Sequence, residues 1–514
     1  MQTNNRTKVV FKDYSPNQIL LLPPSLEEMI EPNHPVRVVN QVIDSLDIDL
    51  LIKKYKGGGC SSYHPRLLLK LLVYGYLANQ YSSRKIEQAT KQNVHFMWLS
   101  GMSYPDHNTI NRFRCDRLGG VLKKVFSQVV LLLVDSGVIT LKEAYLDGTK
   151  IEANANRYTF VWGRSITKSK ERIKKQLDEL WAYTESVAKE ELENNEPQYF
   201  EKIDQDSIKQ TISIINNALK DKPVNKKVRQ KLEYARKNWP DNLKKYEQQE
   251  KTLGSRNSYS KTDTDATFMR MKEDHMLNGQ LKPGYNWQIS TQNQYILGYT
   301  IHQTTNDTTT LQPHLESLKK NLGKMPDVLV ADAGYGSEEN YEYLERNDVE
   351  AFVKYQYFHK EQSKKWKEDP FRAENLPYDK KNDSFTCPGG KKLRFIGEKV
   401  KITDNGFRQV KRLYQAKNCS GCHMKGVCNK SKWDRRIEVN TKLNHYKSIL
   451  KERLCSERGL KYRSQRPVDV EAVFGIIKGN KNYRKFLLRG LEKVEIEVGL
   501  LALAHNLGKM PSKN

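Results

Sequence analysis

The chain has 514 residues, more than one compact core usually holds, so we expect two to four domains. Its 87 Lys and Arg residues outnumber its 61 Asp and Glu residues, and the formal net charge of +26 is far more than solubility requires. This charge indicates a polyanionic partner, with nucleic acid the leading candidate, although a ribosomal protein or a membrane-surface protein would also be basic.

The sequence contains no segment typical of membrane insertion or secretion. The longest apolar run, VVLLLV at 129–134, is too short to span a bilayer, and the first ten residues, MQTNNRTKVV, have no apolar signal core. Four of the seven cysteines lie between 387 and 428, which fits metal binding in a reducing compartment better than a disulfide framework. We therefore expect a cytoplasmic protein with no membrane partner.

Residues 1–140 predict a helical N-terminal domain. Its strongest helix is RLLLKLLVYGYLA (66–78), and shorter helices are predicted at 82–93, 94–101 and 105–114. In the last of these, Arg112 and Arg114 fall off the apolar edge, which permits a helix-turn-helix-like unit that presents arginines to DNA phosphates. A plain helical dimerisation or packing domain explains the same pattern equally well.

From residue 141 onward, strands alternate with helices and predict a mixed α/β fold. The predicted strands and helices are a strand at 143–153, a hairpin of strands 284–291 and 295–303, a helix from about 309, the strand VLVA at 328–331, a helix at 338–345 and a strand at 350–355. Two inserts interrupt this pattern, one amphipathic and helical, the other containing the clustered cysteines. The predicted division is 1–140 (helical domain), 141–163 and 258–355 (core), 164–257 (helical insert), 356–460 (cysteine insert) and 461–514 (C-terminal helices of the core).

Three acids in this pattern are candidates for a shared site. Asp147 lies within a strand, where aspartate is disfavoured, and Asp332 ends a buried strand, although a turn or cap role explains it too. Glu471 shares a helix face with Gly475 and Lys478, opposite an apolar stripe, so one face packs while the other is available for chemistry. Each acid alone is more often structural.

Cys387, Cys419, Cys422 and Cys428 are the candidate ligands of a structural Zn²⁺ ion. A zinc ribbon usually has two paired-cysteine knuckles, whereas the first knuckle here has a single cysteine, so His423 could compete as a ligand. A reduced thiol cluster without metal is the alternative.

Several stretches together resemble the DDE transposases of bacterial insertion sequences, specifically the family numbered eleven eighty-two. They include YHPRLLLKLLVYGY, PDHNTINRFR, LDGTKIEANANRYTFVWG, ADAGYGSEENYEYLE and VEAVFGIIKGNKNYRKFLLRGLEKVEIEVGLLALAHNLGKM, and they are spread over nearly the whole chain. The resemblance implies an RNase H-like catalytic core with Asp147, Asp332 and Glu471 as the DDE triad.

Related transposases also carry Tyr, Arg, Glu and Lys on the helix of the third acid, and Tyr462, Arg466, Glu471 and Lys478 match them here. The gap from Glu471 to Lys478 fits the family's pattern, while the two preceding gaps are each one residue longer. Lys478 and Arg484 supply positive charge beside Glu471, which suits phosphate positioning. The remaining polar residues of the matching stretches (Asp263, Asp265, Asn286, Asp307, His107 and Asn108) are expected to be structural or to support the acids.

The resemblance implies two Mg²⁺ (or Mn²⁺) ions held by the three acids, because hard cations prefer carboxylate oxygens. The expected reaction is cleavage at the terminal inverted repeats of the element, followed by strand transfer into double-stranded target DNA by a homo-oligomer that pairs two ends. An RNase H-like nuclease without transposition and a DNA-binding protein that has lost catalysis are the alternatives.

Overall fold

The computed structural model describes residues 25–55, 61–192, 204–272 and 279–510. The first ten residues, for which no signal segment is predicted, lie outside these ranges, and so does Cys60. No helix in the described ranges is long and apolar enough to cross a membrane.

The first part of the chain is helical, as predicted. The helices are α1 (Pro35–Ser45), α2 (Asp49–Ile52), α3 (Pro65–Leu77), α4 (Ser83–Gln92), α5 (Val94–Leu99), α6 (His107–Arg112) and α7 (Leu122–Asp135). Proline at the first position begins α1 and α3, and in each case the preceding histidine side chain accepts a hydrogen bond from a backbone amide of the first turn. A π-turn at Phe113–Arg117 follows α6.

A six-stranded mixed sheet forms the centre of the fold. The described strands between residues 143 and 353 are β1 (Glu143–Glu152), β2 (Phe160–Trp162), β3 (Ser258–Ser260), β4 (Thr267–Arg270), β5 (Leu281–Gln292), β6 (Tyr295–His302), β7 (Val328–Ala331) and β8 (Glu350–Val353). Of these, β2 and β3 pair with each other and are not part of the six-stranded sheet. β5 pairs antiparallel with β1 on one side and with β6 and β4 on the other, while β1, β7 and β8 run parallel. The predicted mixed α/β class is confirmed, and this order is compatible with an RNase H-like core.

The predicted hairpin corresponds to β5 and β6. Its turn consists of Asn293 and Gln294, both with positive φ (53° and 63°), the conformation that matches a two-residue turn to the twist of the strands. The first strand extends beyond its predicted bounds at both ends, the second ends one residue before its predicted bound, and a bulge separates Ser290 from Thr291.

The helical insert is carried between β2 and β3, which pair with each other. It consists of α8 (Gly163–Val187), α9 (Lys189–Leu192), α10 (Gln205–Ala218) and α11 (Lys226–Leu253). Its apolar residues are buried together in a core of their own, which includes Leu177, Ile215 and Trp239. The predicted amphipathic helices are thus confirmed.

Two helices flank the parallel strands: α12 (Leu311–Leu322) and α13 (Glu338–Arg346), with the short α14 (Lys364–Lys367) after β8. A separate antiparallel sheet follows, composed of β9 (Tyr378–Asp379), β10 (Ser384–Thr386), β11 (Lys392–Ile402), β12 (Arg408–Gln415) and β13 (Arg436–Val439). We call residues 378–439 the strand insert. The tip of its β11–β12 hairpin lies at 403–407.

The C-terminal helices are α15 (Thr441–Cys455), α16 (Glu457–Arg466), α17 (Ala472–Gly475) and α18 (Leu491–Lys509), with π-turns at Pro467–Glu471 and Ile476–Asn480. The core of the sheet is continuous with the N-terminal helices: Leu72 of α3, Leu146 of β1 and Leu500 of α18 belong to one buried cluster. The N-terminal helices therefore do not have a core separate from the sheet.

Candidate active site

Two of the candidate acids lie side by side because of the register of two parallel strands. Leu146 of β1 is paired with Ala331 of β7, so the next residues, Asp147 and Asp332, stand at the same level. Asp332 also accepts a hydrogen bond from the amide of Gly334 through Oδ1 (2.8 Å), so the predicted turn role is present as well. The helix α13 is capped by Ser337 and not by Asp332.

The third acid comes from the C-terminal helices. Val470, Val473, Phe474 and Ile477 are all buried, as the predicted apolar stripe requires, and Glu471, Gly475 and Lys478 line the cleft above the strands. Asp469 fixes this segment to the β5–β6 hairpin, because its Oδ1 accepts hydrogen bonds from the Thr291 hydroxyl (2.5 Å) and the Gln294 amide (3.1 Å). The three acids therefore meet in one place although more than 300 residues of sequence separate the first from the last.

The guanidinium of Arg466 lies between the three carboxylates. Its Nη2 is 3.1 Å from Oδ1 of Asp147 and 3.8 Å from Oδ2 of Asp332, and its Nη1 is 2.6 Å from Oε1 of Glu471. The Arg466 side chain is only 8% exposed. One cation thus reduces the repulsion among three carboxylates without fully neutralising them.

The extra residue between Arg466 and Glu471 is absorbed by the π-turn at Pro467–Glu471. Residues five apart on a regular α-helix lie about 140° from each other and do not meet. In the π-turn the backbone bond runs from the amide of Ala472 to the carbonyl of Pro467, and the wider turn brings Arg466 and Glu471 to the same side.

Two further cations near the acids were not found by sequence reasoning. Nζ of Lys272 donates to the carbonyl of Gly148 (2.7 Å) and lies 4.0 Å from Oδ1 of Asp147. Lys354 follows Val353 of β8 just as Asp332 follows Ala331 of β7, and the paired register places them at one level. The signal in the sequence was a charged residue directly after each of two apolar strands, Asp332 after β7 and Lys354 after β8.

Burial raises the pKa of Asp147 above its ordinary value, with Asp332 adding to the effect. Lys272, Arg466 and the amide of Gly148 act in the opposite direction. Burial also lowers the pKa of Lys354, and the nearby Arg466 and Arg463 lower it further. The cleft therefore holds charges of both signs close together, with Asp147 and Arg466 buried and Asp332 and Glu471 partly exposed.

A buried polar network supports the acids from beneath. The side-chain amide nitrogen of Gln288 on β5 donates to Oδ1 of Asp307 (3.1 Å), and the side-chain amide of Asn286 donates to the same oxygen (2.7 Å). The hydroxyl of Tyr335 donates to Oε1 of Gln288. Gln288 pairs with Gly148 on β1, next to Asp147. The expected supporting role of Asn286 and Asp307 is consistent with these contacts, while Gln288 was missed because a glutamine in a strand has no distinctive sequence signal.

The cleft has a volume of about 550 Å³ and includes two of the predicted phosphate-contacting residues, Lys478 and Arg484, in addition to Arg466. Tyr462 instead packs against Phe352 and Tyr145, so its ring belongs to the core next to the site. Asp263 and Asp265 are distant from this chemistry and accept hydrogen bonds from the amides that begin α18.

The two arginines predicted to present charge to DNA from the N-terminal helices differ. Arg112 is exposed. Arg114 is only 4% exposed, and it donates to the carbonyl of Tyr81 (2.9 Å) and to Asn111 (3.0 Å), so the predicted phosphate contact is wrong for Arg114. The π-turn that starts at Phe113 changes the helical phase and turns Arg114 into the core.

The donor set at the acids fits hard divalent cations. Three carboxylates converge on one positive group, and carboxylate oxygens are the ligands that Mg²⁺ and Mn²⁺ prefer. As the side chains stand, no three or more His, Cys, Asp or Glu residues in the described ranges are grouped to hold a metal ion, and the three acids are instead paired with Arg466.

The four predicted cysteine ligands line one small cavity, whereas His423 is exposed and does not. A Cβ at Gly389 would lie 3.3 Å from Sγ of Cys422 and 3.8 Å from Sγ of Cys387, so the absence of a side chain there lets the sulfurs approach. Arg435 donates to Sγ of Cys428 (2.8 Å). All four thiols are free of disulfides, and as they stand they do not form a group that could hold a metal ion.

Comparison with known protein families agrees with the geometry. A model described as "Transposase DDE domain" matches residues 386–511, which include Glu471 and Arg466. A model described as "Transposase domain (DUF772)" matches residues 24–116. The two matches together indicate an insertion-sequence DDE transposase. No curated protein and no solved structure matches the chain.

The match to the DDE domain extends over the strand insert and the C-terminal helices of this transposase, and the second match covers α1–α6. Neither model specifies the family numbered eleven eighty-two, which stays a prediction. The transposase function expected from the sequence is confirmed, and no observation favours the alternatives.

Proposed function

We propose that this transposase cleaves phosphodiester bonds at the terminal inverted repeats of its element and joins the freed 3′ ends to double-stranded target DNA, with Asp147, Asp332 and Glu471 as the catalytic triad. The observation that carries the proposal is the convergence of these three carboxylates, from distant segments, on the single guanidinium of Arg466. Two of these acids come from neighbouring parallel strands and the third from the C-terminal helices, so three separate elements supply one acidic cluster.

The residues of the cleft have distinct roles in this proposal. The three acids hold two Mg²⁺ or Mn²⁺ ions, which when bound activate the attacking hydroxyl and stabilise the leaving oxygen. Lys478 and Arg484 contact phosphates of the DNA strand that enters the cleft, and Arg466 contacts them once the acids are neutralised by other cations. Burial of Asp147 on one strand and the turn at Gly334 on the next keep two acids fixed in position.

The test is Asp332→Asn, with Asp327→Asn as the matched control. Asp327 is exposed and precedes the other end of the same strand, β7. With DNA that carries the element's own ends and Mg²⁺, we expect Asp332→Asn to lower the cleavage rate about a thousandfold while duplex binding persists, and Asp327→Asn to cleave normally. Undiminished cleavage by Asp332→Asn would reject the triad.

A second experiment separates transposition from simple nuclease activity. Supplying pre-cleaved ends with free 3′-hydroxyls and a supercoiled target tests strand transfer without the cleavage step. Covalently joined products support transposition, and cleavage of uncut ends without any joined product would favour the RNase H-like nuclease.

We further propose that Cys387, Cys419, Cys422 and Cys428 bind one structural Zn²⁺ ion. Metal analysis of protein purified without chelator should find about one zinc per chain, and Cys428→Ser should lose it. His423→Gln is the control that should keep zinc, because its ring does not line the cavity. A zinc-free native protein would support the reduced thiol cluster.

The remaining proposals follow from the reaction. Two ends have to be cut and joined to one target, so we propose a homo-oligomer that assembles on the ends, in the cytoplasm where bacterial DNA lies. The mass of the complex with end DNA, measured by light scattering, tests this, and one chain per DNA duplex at all concentrations would contradict it.

A further inference from the structure

The strand insert is one of the two most basic parts of this transposase. Residues 378–439 contain 16 Lys and Arg against 6 Asp and Glu, a net charge of +10 in 62 residues. Residues 440–490, the following helices that include Arg466, Lys478 and Arg484 of the cleft, have 13 against 4. The helical insert, residues 163–253, has 20 against 16, and residues 24–116, the N-terminal helical region, have 11 against 9. Outside the helices that carry the cleft, electrostatic attraction to a polyanion is therefore strongest at the strand insert.

Within the strand insert, the charges of the sheet are partly neutralised and those of the cysteine loop are not. On the sheet, Lys399 and Lys411 both pair with Glu438, and Arg412 pairs with Asp383. The loop at 417–436, by contrast, exposes Lys417, Lys430 and Lys432, and no acidic partner lies within ion-pair distance of any of them in the described part of the chain. The loop's single acid, Asp434, accepts a hydrogen bond from the amide of Cys419.

The same loop presents apolar side chains to solvent. Trp433 is 81% exposed and Val427 is 71% exposed, although tryptophan is among the more buried residue types in folded proteins. The loop is not a loose segment: Asn429 donates to the carbonyl of Trp433 (2.8 Å) and Ser431 accepts from its amide (3.1 Å). An exposed tryptophan surrounded by lysines without acidic partners is better suited to contact a DNA groove bordered by phosphates than to remain exposed to solvent.

The strand insert is fixed to the catalytic core. At the tip of the β11–β12 hairpin, Thr403 and Asn405 donate to the carboxylate of Glu339 (3.0 and 2.9 Å), and Gln409 donates to Glu338 (3.0 Å). These two acids open α13, the helix that follows the turn after Asp332. DNA bound by the strand insert is thereby held in a defined relation to the acids.

We propose that the cysteine loop, residues 417–436, is a contact surface for duplex DNA, with Lys417, Lys430 and Lys432 on the phosphates and Trp433 against the sugar edge of a groove. This inference deepens the proposed function and rests on it, because it assigns part of the DNA to a surface outside the cleft. It also implies that the N-terminal helices are not the main electrostatic contact.

The experiment compares two triple variants of the full-length protein. One replaces Lys417, Lys430 and Lys432 by Gln, and the matched control replaces Lys226, Lys227 and Lys237, exposed residues of α11, by Gln. Binding to a duplex of the element's end is measured by fluorescence anisotropy at several salt concentrations in EDTA. Zinc content and circular dichroism confirm that each variant folds.

Each lost phosphate contact makes the slope of log affinity against log salt concentration shallower by about 0.9, so the slope for the loop variant should be shallower by about 2.7. The loop variant should also bind about a hundredfold more weakly at 0.1 M salt. The control should keep the wild-type slope, and Trp433→Ala should weaken binding about tenfold without changing the slope. Equal slopes for both triple variants, or competition by single-stranded but not duplex DNA, would overturn the proposal.

These outcomes are separate from those that test the proposed function. At saturating DNA the loop variant should still cleave when Mg²⁺ is added, because its substitutions leave the three acids intact. Loss of binding with retained cleavage at saturation supports the surface. Undiminished cleavage by Asp332→Asn rejects the triad whatever the loop variant does.

Discussion

Replacing Arg466 by Met should destabilise the metal-free protein because three carboxylates would lose their shared counter-charge. Met keeps most of the apolar stem and removes the guanidinium. The Asp147 side chain is 10% exposed, whereas those of Asp332 and Glu471 are 39% and 48% exposed. The pair with Asp147 is therefore the one that solvent screens least.

The expected magnitude follows from these exposures. Removing one partner of a buried ion pair costs about 3 to 5 kcal/mol, while an exposed pair contributes about 0 to 1 kcal/mol. We expect Arg466→Met to cost about 3 kcal/mol in the free energy of unfolding, most of it from Asp147. In an Asp147→Asn background the same substitution should cost about 1 kcal/mol, a coupling of about 2 kcal/mol.

The assay is urea unfolding of the four proteins of this cycle in EDTA, followed by circular dichroism and tryptophan fluorescence. Arg458→Met is the matched control, since Arg458 is half-exposed on the same helix and pairs with Glu350 away from the cleft. Saturating Mn²⁺ should stabilise Arg466→Met more than the wild type, because the ion supplies the missing charge. Equal costs of Arg466→Met in both backgrounds would refute the idea that Arg466 neutralises Asp147.

Three further predictions concern the surroundings of the site. In Gly148→Ala the new Cβ would meet Nε2 of Gln288 at 2.2 Å, so we expect a loss of about 1 to 3 kcal/mol in stability that a second substitution, Gln288→Ala, partly restores; no restoration would contradict the clash. Burial lowers the pKa of His314 to about 3, so its neutral ring stabilises the fold fully above pH 6.5 and that contribution is lost as the pH falls toward 3. When the pH falls from 7 to 5, the free energy of unfolding in urea should therefore decrease by about 2 kcal/mol less for His314→Leu than for the wild type. Equal decreases in the two proteins would contradict the assignment. Arg114→Met should cost about 3 kcal/mol without changing the salt dependence of DNA binding, while Arg112→Met should leave stability unchanged; a stable Arg114→Met would refute the core role.

The positions of Asp147 and Asp332 could be predicted because strand patterns have a simple period. VLVA is too apolar for an edge or a loop, so its end marks the end of a central strand, and the next residue has to lie at the rim of the sheet. What could not be predicted is the register with β1, because pairing between strands about 180 residues apart is set by packing that no local pattern encodes.

The helical segment near Glu471 shows where a regular helical period fails to predict the positions of side chains. A 3.6-residue period assigns the buried stripe from Val470 to Ile477 correctly, but it places Arg466 on a different side from Glu471. The same period places Arg114 on the surface next to Arg112. In both places a π-turn shifts the phase, and the only sequence trace was the gap of one extra residue before Glu471.

The charge distribution separates binding from chemistry in this transposase. In the metal-free protein Arg466 partly offsets the charge of the acids, and Lys272 lies 4.0 Å from Asp147, so DNA phosphates entering the cleft do not meet three bare carboxylates. Outside the helices that carry the cleft, the strongest attraction lies on the strand insert, and it needs no metal. We therefore expect DNA binding to precede metal binding. A divalent ion held by the three acids would compete with Arg466 for the same carboxylate oxygens, and a guanidinium displaced from them would have a DNA phosphate in the cleft as its new anion.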